Sequence, residues 1–457
     1  MTTKQRPRRP YEKKTVSRRG IIVFSIGFVA ILIIIGISAN LMSPYLGPRI
    51  DSVSYHLRTY YRKLIPHPEY LPTPAPISSS GVLNSPPRIP LTTTPRPTVT
   101  ITTPPTITPV TQNTPTTLAD PATQEGLAAT IESTAGLSEN DADELPLLPV
   151  GDNILLTGFN HQWQTWNNCG PATITTYISY FGQAETQAEA ANFLKPNQDD
   201  KNVNPEELTA YARQRGMGAL LRRGGNLEQL KLFLSNDFPV LLETWLVHDG
   251  DGLGHYRLIS GFNETTQQFS TTDSLNGPEY TVSYDQLDAD WRVFNRLYIV
   301  VYPPEQVDTI AAIIGEDMND TVMYERLLAE AQANLETNPE DPIAYFNQGE
   351  ALTRLNRPDE AVVAFDQARR LGLHWRRLWY QFTPFEAYYT AGRYRDVLDL
   401  AQATLKSSGG LEEAYYYHGL ALQATNQPGA AEDFEAALAY NPNFTLAAEA
   451  LRTLEAN

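Results

Sequence analysis

The chain has 457 residues, enough for two or three domains, and 42% of them are hydrophobic. Its 52 acidic residues outnumber 35 basic ones, for a formal net charge of −17, which excludes a chain that holds nucleic acid through a general basic surface. A single cysteine excludes an internal disulfide, and with no HExxH run the sequence offers no metal site and calls for no cofactor.

Residues 1–19 hold eight basic side chains against one acid, Glu12, and residues 21–42 are almost wholly apolar with no charge. About 20 such residues cross a bilayer as a helix, and the run is longer than the apolar part of a signal peptide. The expectation is a basic cytoplasmic tail over 1–19, a single transmembrane helix over 20–42, and every later residue outside the cell membrane. Residues 43–149 read as a juxtamembrane segment followed by a disordered Pro/Thr-rich linker, because such composition cannot bury enough apolar surface to offset its ordering entropy.

Order is expected again from residue 150. A short strand over 152–156 leads to residues 162–182, QWQTWNNCGPATITTYISYFG, a polar turn running into a helix with Pro171 at its first position and Gly182 at its close. Further helices are predicted over 187–194 and 204–215, the latter with Asn204, Pro205 and two acids at its start. Another is capped by Asn226, with Leu227, Leu230 and Leu234 on one stripe. The pattern then changes to strands over 238–246, 255–262, 267–272 and 296–302, with a short helix over 283–290. Helices first and antiparallel strands afterwards is an α+β order.

Cys169, the chain's one cysteine, falls at the turn-to-helix junction. Unpaired N–H groups at a helix start favour the thiolate, the nucleophilic form of cysteine. A thiolate nucleophile needs a base and a group to orient that base. His161, His248 and His255 are the histidines of this region. His161 stands just before Cys169 on the wrong side of the turn, His248 lies in a glycine-rich loop, and His255 opens a strand that fixes its ring. His255 is therefore the expected base. Asp273 ends the next strand, where antiparallel pairing would bring it beside His255; Asp285 on a helix and Asp249 in a loop are weaker choices. The run Asp249-Gly250-Asp251-Gly252 is similar to the start of a calcium loop but lacks the spaced glutamate downstream. The N–H of Cys169 with the side chain of Gln164 would stabilise an oxyanion, and Gln162 competes for the side-chain role.

Gln164, the run Asn168-Cys169-Gly170-Pro171-Ala172 and the ending Tyr180-Phe181-Gly182 resemble the active-site signature of the papain-like bacteriocin-processing cysteine peptidases, family thirty-nine of that class. Gly254-His255-Tyr256 followed by Gly261 is similar to its histidine motif, and Asp273 stands at its Asp or Asn position. The resemblance implies a papain-like cysteine peptidase domain over 150–304 with a Cys-His-Asp triad and a Gln that helps to hold the oxyanion. The spacing from Gln164 to Cys169 is one residue shorter than is common in the family.

From residue 320 to 457 every element reads as helical. Residues 349–368 align with 419–438, so that Ala351 meets Ala421, Asn356 meets Asn426 and Ala361 meets Ala431, while Val397 marks a middle unit. A period near 34 residues of paired helices resembles the tetratricopeptide repeats. Phe434 stands one residue early relative to Phe365. Such an array presents a surface for peptides or partner proteins.

Together these readings imply a membrane-anchored, extracytoplasmic cysteine peptidase that cuts a peptide or amide bond, with helical repeats recruiting a protein substrate or partner. The alternatives are a non-catalytic peptide-binding or assembly scaffold and a cell-wall amide hydrolase.

Overall fold

The computed structural model describes residues 69–74, 147–197, 200–248 and 251–456. The α+β region begins with β1 (Asn153–Leu155), then helices α1 (Cys169–Ser179), α2 (Gln187–Leu194) and α3 (Pro205–Gln214). Strand β2 (Gly218–Arg222), helix α4 (Leu227–Ser235) and strands β3 (Val240–His248), β4 (Asp251–Asn263), β5 (Gln268–Asp273) and β6 (Gly277–Ser283) follow. Helix α5 (Tyr284–Trp291), strand β7 (Tyr298–Tyr302) and helix α6 (Val307–Ile314) complete it.

The sheet runs β2-β7-β3-β4-β5-β6 with every pair antiparallel, and β1 pairs with the end of β4 beyond the reach of β3. β7, YIVVY, is buried at every position, which is why it reads as a continuous apolar run and lies inside the sheet. Helix α1 is buried from Gly170 to Ile178 and packs on the sheet through Ile174, Tyr177 and Ile178. The expected start of α3 is present: Glu207 accepts from the Asn204 N–H at 2.8 Å and Pro205 takes the first helical position. Asn226 likewise caps α4, accepting from the Gln229 N–H at 2.9 Å.

Three elements go beyond the sequence reading: β2, β6 and α6. Of the glycine-rich run expected to be a loop, Val247 and His248 lie on β3 and Asp251 and Gly252 on β4, with His248 paired to Asp251, while Asp249 and Gly250 lie outside the described residues.

The second region is helical: α7 (Asp320–Thr337), α8 (Pro342–Arg354), α9 (Pro358–Arg370), α10 (Thr383–Thr390), α11 (Tyr394–Ser408), α12 (Glu412–Ala424), α13 (Ala430–Tyr440) and α14 (Thr445–Glu455). Its paired helices are compatible with repeats. A Cβ on Gly349 would stand 2.7 Å from the Phe365 ring, and one on Gly419 would stand 2.8 Å from the Phe434 ring, so the same close approach recurs in both aligned units. Both contacts form despite the one-residue offset of Phe434. Pro358 opens α9, whereas its counterpart Pro428 stays outside α13, which begins only after Gly429 at φ 104°.

Two expectations are corrected. Among the described residues no helix is long and apolar enough to cross a membrane. The longest, α7, has 18 residues but includes Asp320, Glu325, Arg326, Glu330 and Glu336, far too many charges for hydrocarbon. Residues 20–42, on which the transmembrane helix was expected, lie outside the described residues. The single-pass fold and the cell-membrane, extracytoplasmic localisation drawn from that helix are therefore set aside. The second correction concerns the linker. Residues 69–74 pack on the helical region: Leu71 is 5% exposed, its N–H donates to the Leu373 carbonyl at 2.9 Å, and Arg369 donates to the Pro72 carbonyl at 2.8 Å.

The α+β and helical regions fall in one compact unit. Arg376 donates to the Gly252 carbonyl at 2.6 Å, Arg377 to the Val293 carbonyl at 2.6 Å, and Arg223 pairs with Glu350 at 2.9 Å. Tyr380 lies so close over Gly254 that a Cβ there would come within 2.9 Å of its ring, which leaves room only for glycine.

Candidate active site

Helix α1 starts at Cys169 itself, two residues before the position expected from Pro171. Asn167 makes the turn at φ 54°, a left-handed conformation that asparagine tolerates, and Asn168 takes the N-cap position. Cys169 is therefore the first helical residue, and its N–H makes no hydrogen bond among the described residues. Lys195 braces this turn from below, donating to the Asn167 carbonyl at 3.0 Å and the Asp200 carbonyl at 3.1 Å.

His255 enters from β4, where it pairs across the sheet with Thr244. Its Nε2 lies 3.0 Å from Asp273 Oδ1, and both side chains are buried. Its Nδ1 has no hydrogen-bond partner among the described residues, and the ring is near enough to the Cys169 thiol to act on its ionisation. Asp273 Oδ1 also accepts from the N–H groups of Leu275 at 2.8 Å and Asn276 at 2.9 Å, and Oδ2 is 3.2 Å from Arg257 Nε. Cys169 is partly exposed.

The charges follow from this geometry. Burial pushes the Cys169 thiol up, but the nearby ring and charge of His255, the Tyr256 N–H and the charge of Lys195 together bring it below its ordinary value. Burial alone would lower His255; the Asp273 carboxylate and the adjacent thiolate outweigh it and raise the imidazole to about 9. Burial opposes the charged form of Asp273, yet His255, Arg257 and the loop N–H groups hold it well below the usual carboxylate range. The favoured state is a thiolate beside an imidazolium.

The two glutamines are separated by their partners. Gln162 is fully engaged: its Nε2 donates to Thr175 Oγ1 at 3.0 Å and the Glu185 carbonyl at 2.8 Å, and its Oε1 accepts from the Gln187 N–H at 2.7 Å. Gln164 accepts from Ser274 Oγ at 2.9 Å, while its Nε2 makes no hydrogen bond among the described residues. Of the other candidates, His161 reaches the Asp273 carbonyl at 2.9 Å rather than the thiol. Asp285 is exposed on α5. Asp249 lies outside the described residues. No group of acidic, histidine and cysteine side chains able to hold a metal occurs among the described residues.

Sequence reasoning missed Lys195 and Arg257. Arg257 had a signal, since it stands two residues beyond His255 on one strand and so shares its face. Lys195 had none, because its role depends on a turn in another element.

Residues 157–299 match the Peptidase_C39 like family. This stretch is a C39-like peptidase domain. Solved structures similar to it include a C39-like peptidase from Bacillus anthracis, at 13% identity and a TM-score of 0.28. Another is a double-glycine-motif protease of an AMS/PCAT transporter in complex with the leader peptide, at 16% identity and a TM-score of 0.26. Each match covers 33% of this chain and 98% of the other. No curated protein sequence matches the chain. The C39-like domain holds Cys169, His255 and Asp273 within its matched span, and the helical region lies wholly beyond it.

Proposed function

We propose that the chain is a cysteine peptidase in which Cys169 is the nucleophile, His255 the general base and acid, and Asp273 the residue that orients His255. The observation that carries this reading is the position of His255, with Nε2 bonded to Asp273 and the ring against the thiol of a helix-start cysteine. The Cys169 thiolate attacks the carbonyl carbon, and the oxyanion is held by the Cys169 N–H and Gln164 Nε2. The His255 imidazolium gives its proton to the leaving nitrogen as the C–N bond breaks, leaving a thioester. Neutral His255 then takes a proton from water, whose oxygen attacks the thioester and releases the acid and the thiolate.

In this reading residues 150–304 carry the chemistry and residues 320–457 recruit the peptide or protein substrate. The free Nε2 of Gln164 favours it over Gln162 as the oxyanion donor. Incubating a peptide library with the purified chain and with Cys169→Ala tests the proposal. New amino termini are expected with the parent protein alone; the same termini at the same rate with both would overturn it.

A further inference from the structure

Residues 69–74, Glu-Tyr-Leu-Pro-Thr-Pro, lie against the connection between α9 and α10. Tyr70 forms an antiparallel bridge with His374; the Leu71 N–H donates to the Leu373 carbonyl at 2.9 Å and the Trp375 N–H to the Glu69 carbonyl at 3.3 Å. Arg369 Nε donates to the Pro72 carbonyl at 2.8 Å. Leu71 joins the core cluster that includes Leu373 and Leu378, and Tyr70 lies over Gly372, where a Cβ would stand 3.2 Å from its ring. Main-chain pairing with one side chain inserted is how an extended peptide is held on a folded surface.

The connection that this segment grips continues into residues 374–380, through which the helical region holds the start of β4. The His374 ring stands edge-on to Trp245 at 5.2 Å, Arg376 donates to the Gly252 carbonyl at 2.6 Å, and the Tyr380 ring covers Gly254. Trp245 pairs across the sheet with Gly254, and Thr244 with His255. Gly254 and Gly252 stand one and three residues before His255, which meets Asp273 from β5 and acts on Cys169 of α1. The hydrogen bonds at Leu373 and Trp375 bracket His374, so packed groups run without a break from Leu71 to the strand that carries His255.

We propose that residues 69–74 are a positioning strap: docked on residues 371–375, they fix residues 374–380 and through them the start of β4, so that His255 stands against Cys169. The role at His255 rests on the reading of these residues as a catalytic pair. A few hydrogen bonds and one buried leucine hold the strap, much less than holds a core helix, so it can leave while the rest stays folded. The site it leaves takes an extended Tyr-Leu-Pro peptide supplied in trans.

Hydrogen exchange by mass spectrometry on the full chain reads the strand, and alkylation of Cys169 by iodoacetamide at neutral pH reads the ring. In Leu71→Asp the amides from Leu253 to Tyr256 are expected to exchange at least tenfold faster than in the parent, with Cys169 alkylated at least threefold more slowly. Excess acetyl-Glu-Tyr-Leu-Pro-Thr-Pro-amide should restore both, and the same peptide with aspartate for leucine should restore neither. Leu71→Ala, the milder change, should move both readouts the same way and serves if Leu71→Asp does not fold. Gly419→Ala, which displaces the Phe434 ring in a separate core cluster, controls for lost stability and should move neither. Unchanged exchange in both Leu71 variants, the same rise in Gly419→Ala, or no restoration by the leucine peptide would overturn the proposal. So would alkylation unaffected by the Leu71 variants in a chain whose parent thiol responds to His255→Ala. A parent thiol indifferent to His255→Ala, with exchange responding as expected, tells against the catalytic pair alone and supports the strap's hold on β4.

Discussion

Asp273 has three kinds of partner: the His255 ring, two loop N–H groups and the Arg257 guanidinium. Together they keep it charged, and that charge, with the adjacent thiolate, outweighs burial and raises His255 from 6.5 to about 9. A raised histidine stabilises the fold fully below its unfolded value, and the contribution is lost as pH rises through its folded value. In Asp273→Asn the alkaline limb of the rate profile should therefore move from about 9 toward 6.5, read from kcat/KM against pH. The two glutamines should separate in the same way. Gln164→Ala is expected to lower kcat by about 10²–10³ with the melting temperature unchanged. Gln162→Ala instead removes the partner of the Gln187 N–H and of the Glu185 carbonyl, and should cost about 1–3 kcal/mol of stability by denaturant unfolding. Cys169 at the start of α1 and Asp273 at the end of β5 could be placed from sequence because Gly, Pro and strand alternation mark those boundaries, whereas His255, expected to open its strand, lies inside β4. Lys195 acts through tertiary neighbours that no local pattern records, whereas Arg257 shares a strand face with His255 and was legible from that spacing.

Among the elements, those with strong periodicity were found and those defined by a partner were not. The capped start of α3, the stripe of α4 and the apolar runs of β3, β4 and β7 announce themselves. β6 begins Gly-Pro and is exposed at four successive positions, so only its pairing with β5 makes it a strand. β2 is five residues long and follows directly on a helix end. In the helical region the glycine-on-phenylalanine contacts set how closely paired helices approach. Gly349→Ala must displace the Phe365 ring and is expected to cost about 1–3 kcal/mol, measured by chemical denaturation.

The α+β and helical regions were expected as separate domains on a long linker, since no sequence pattern shows that Tyr380 needs Gly254 or that Arg376 needs the Gly252 carbonyl. Their shared contacts predict a single cooperative unfolding transition by calorimetry, and two resolved transitions would contradict it. Leu71 ties a segment far upstream into the core of the helical region. Leu71→Ala should lower the stability of the whole unit by about 2–5 kcal/mol. A membrane helix was the strongest reading of residues 20–42 by composition, yet the described helices offer nothing that could cross a bilayer.

In the proposed mechanism His255, held by Asp273, keeps Cys169 ionised. The rate of Cys169 alkylation by iodoacetamide across pH measures this directly. Thiolate reactivity is expected well below the ordinary thiol value of about 8.5, returning to that value or above in His255→Ala. A parent protein whose thiol titrates near 8.5, indifferent to the loss of His255, would contradict it.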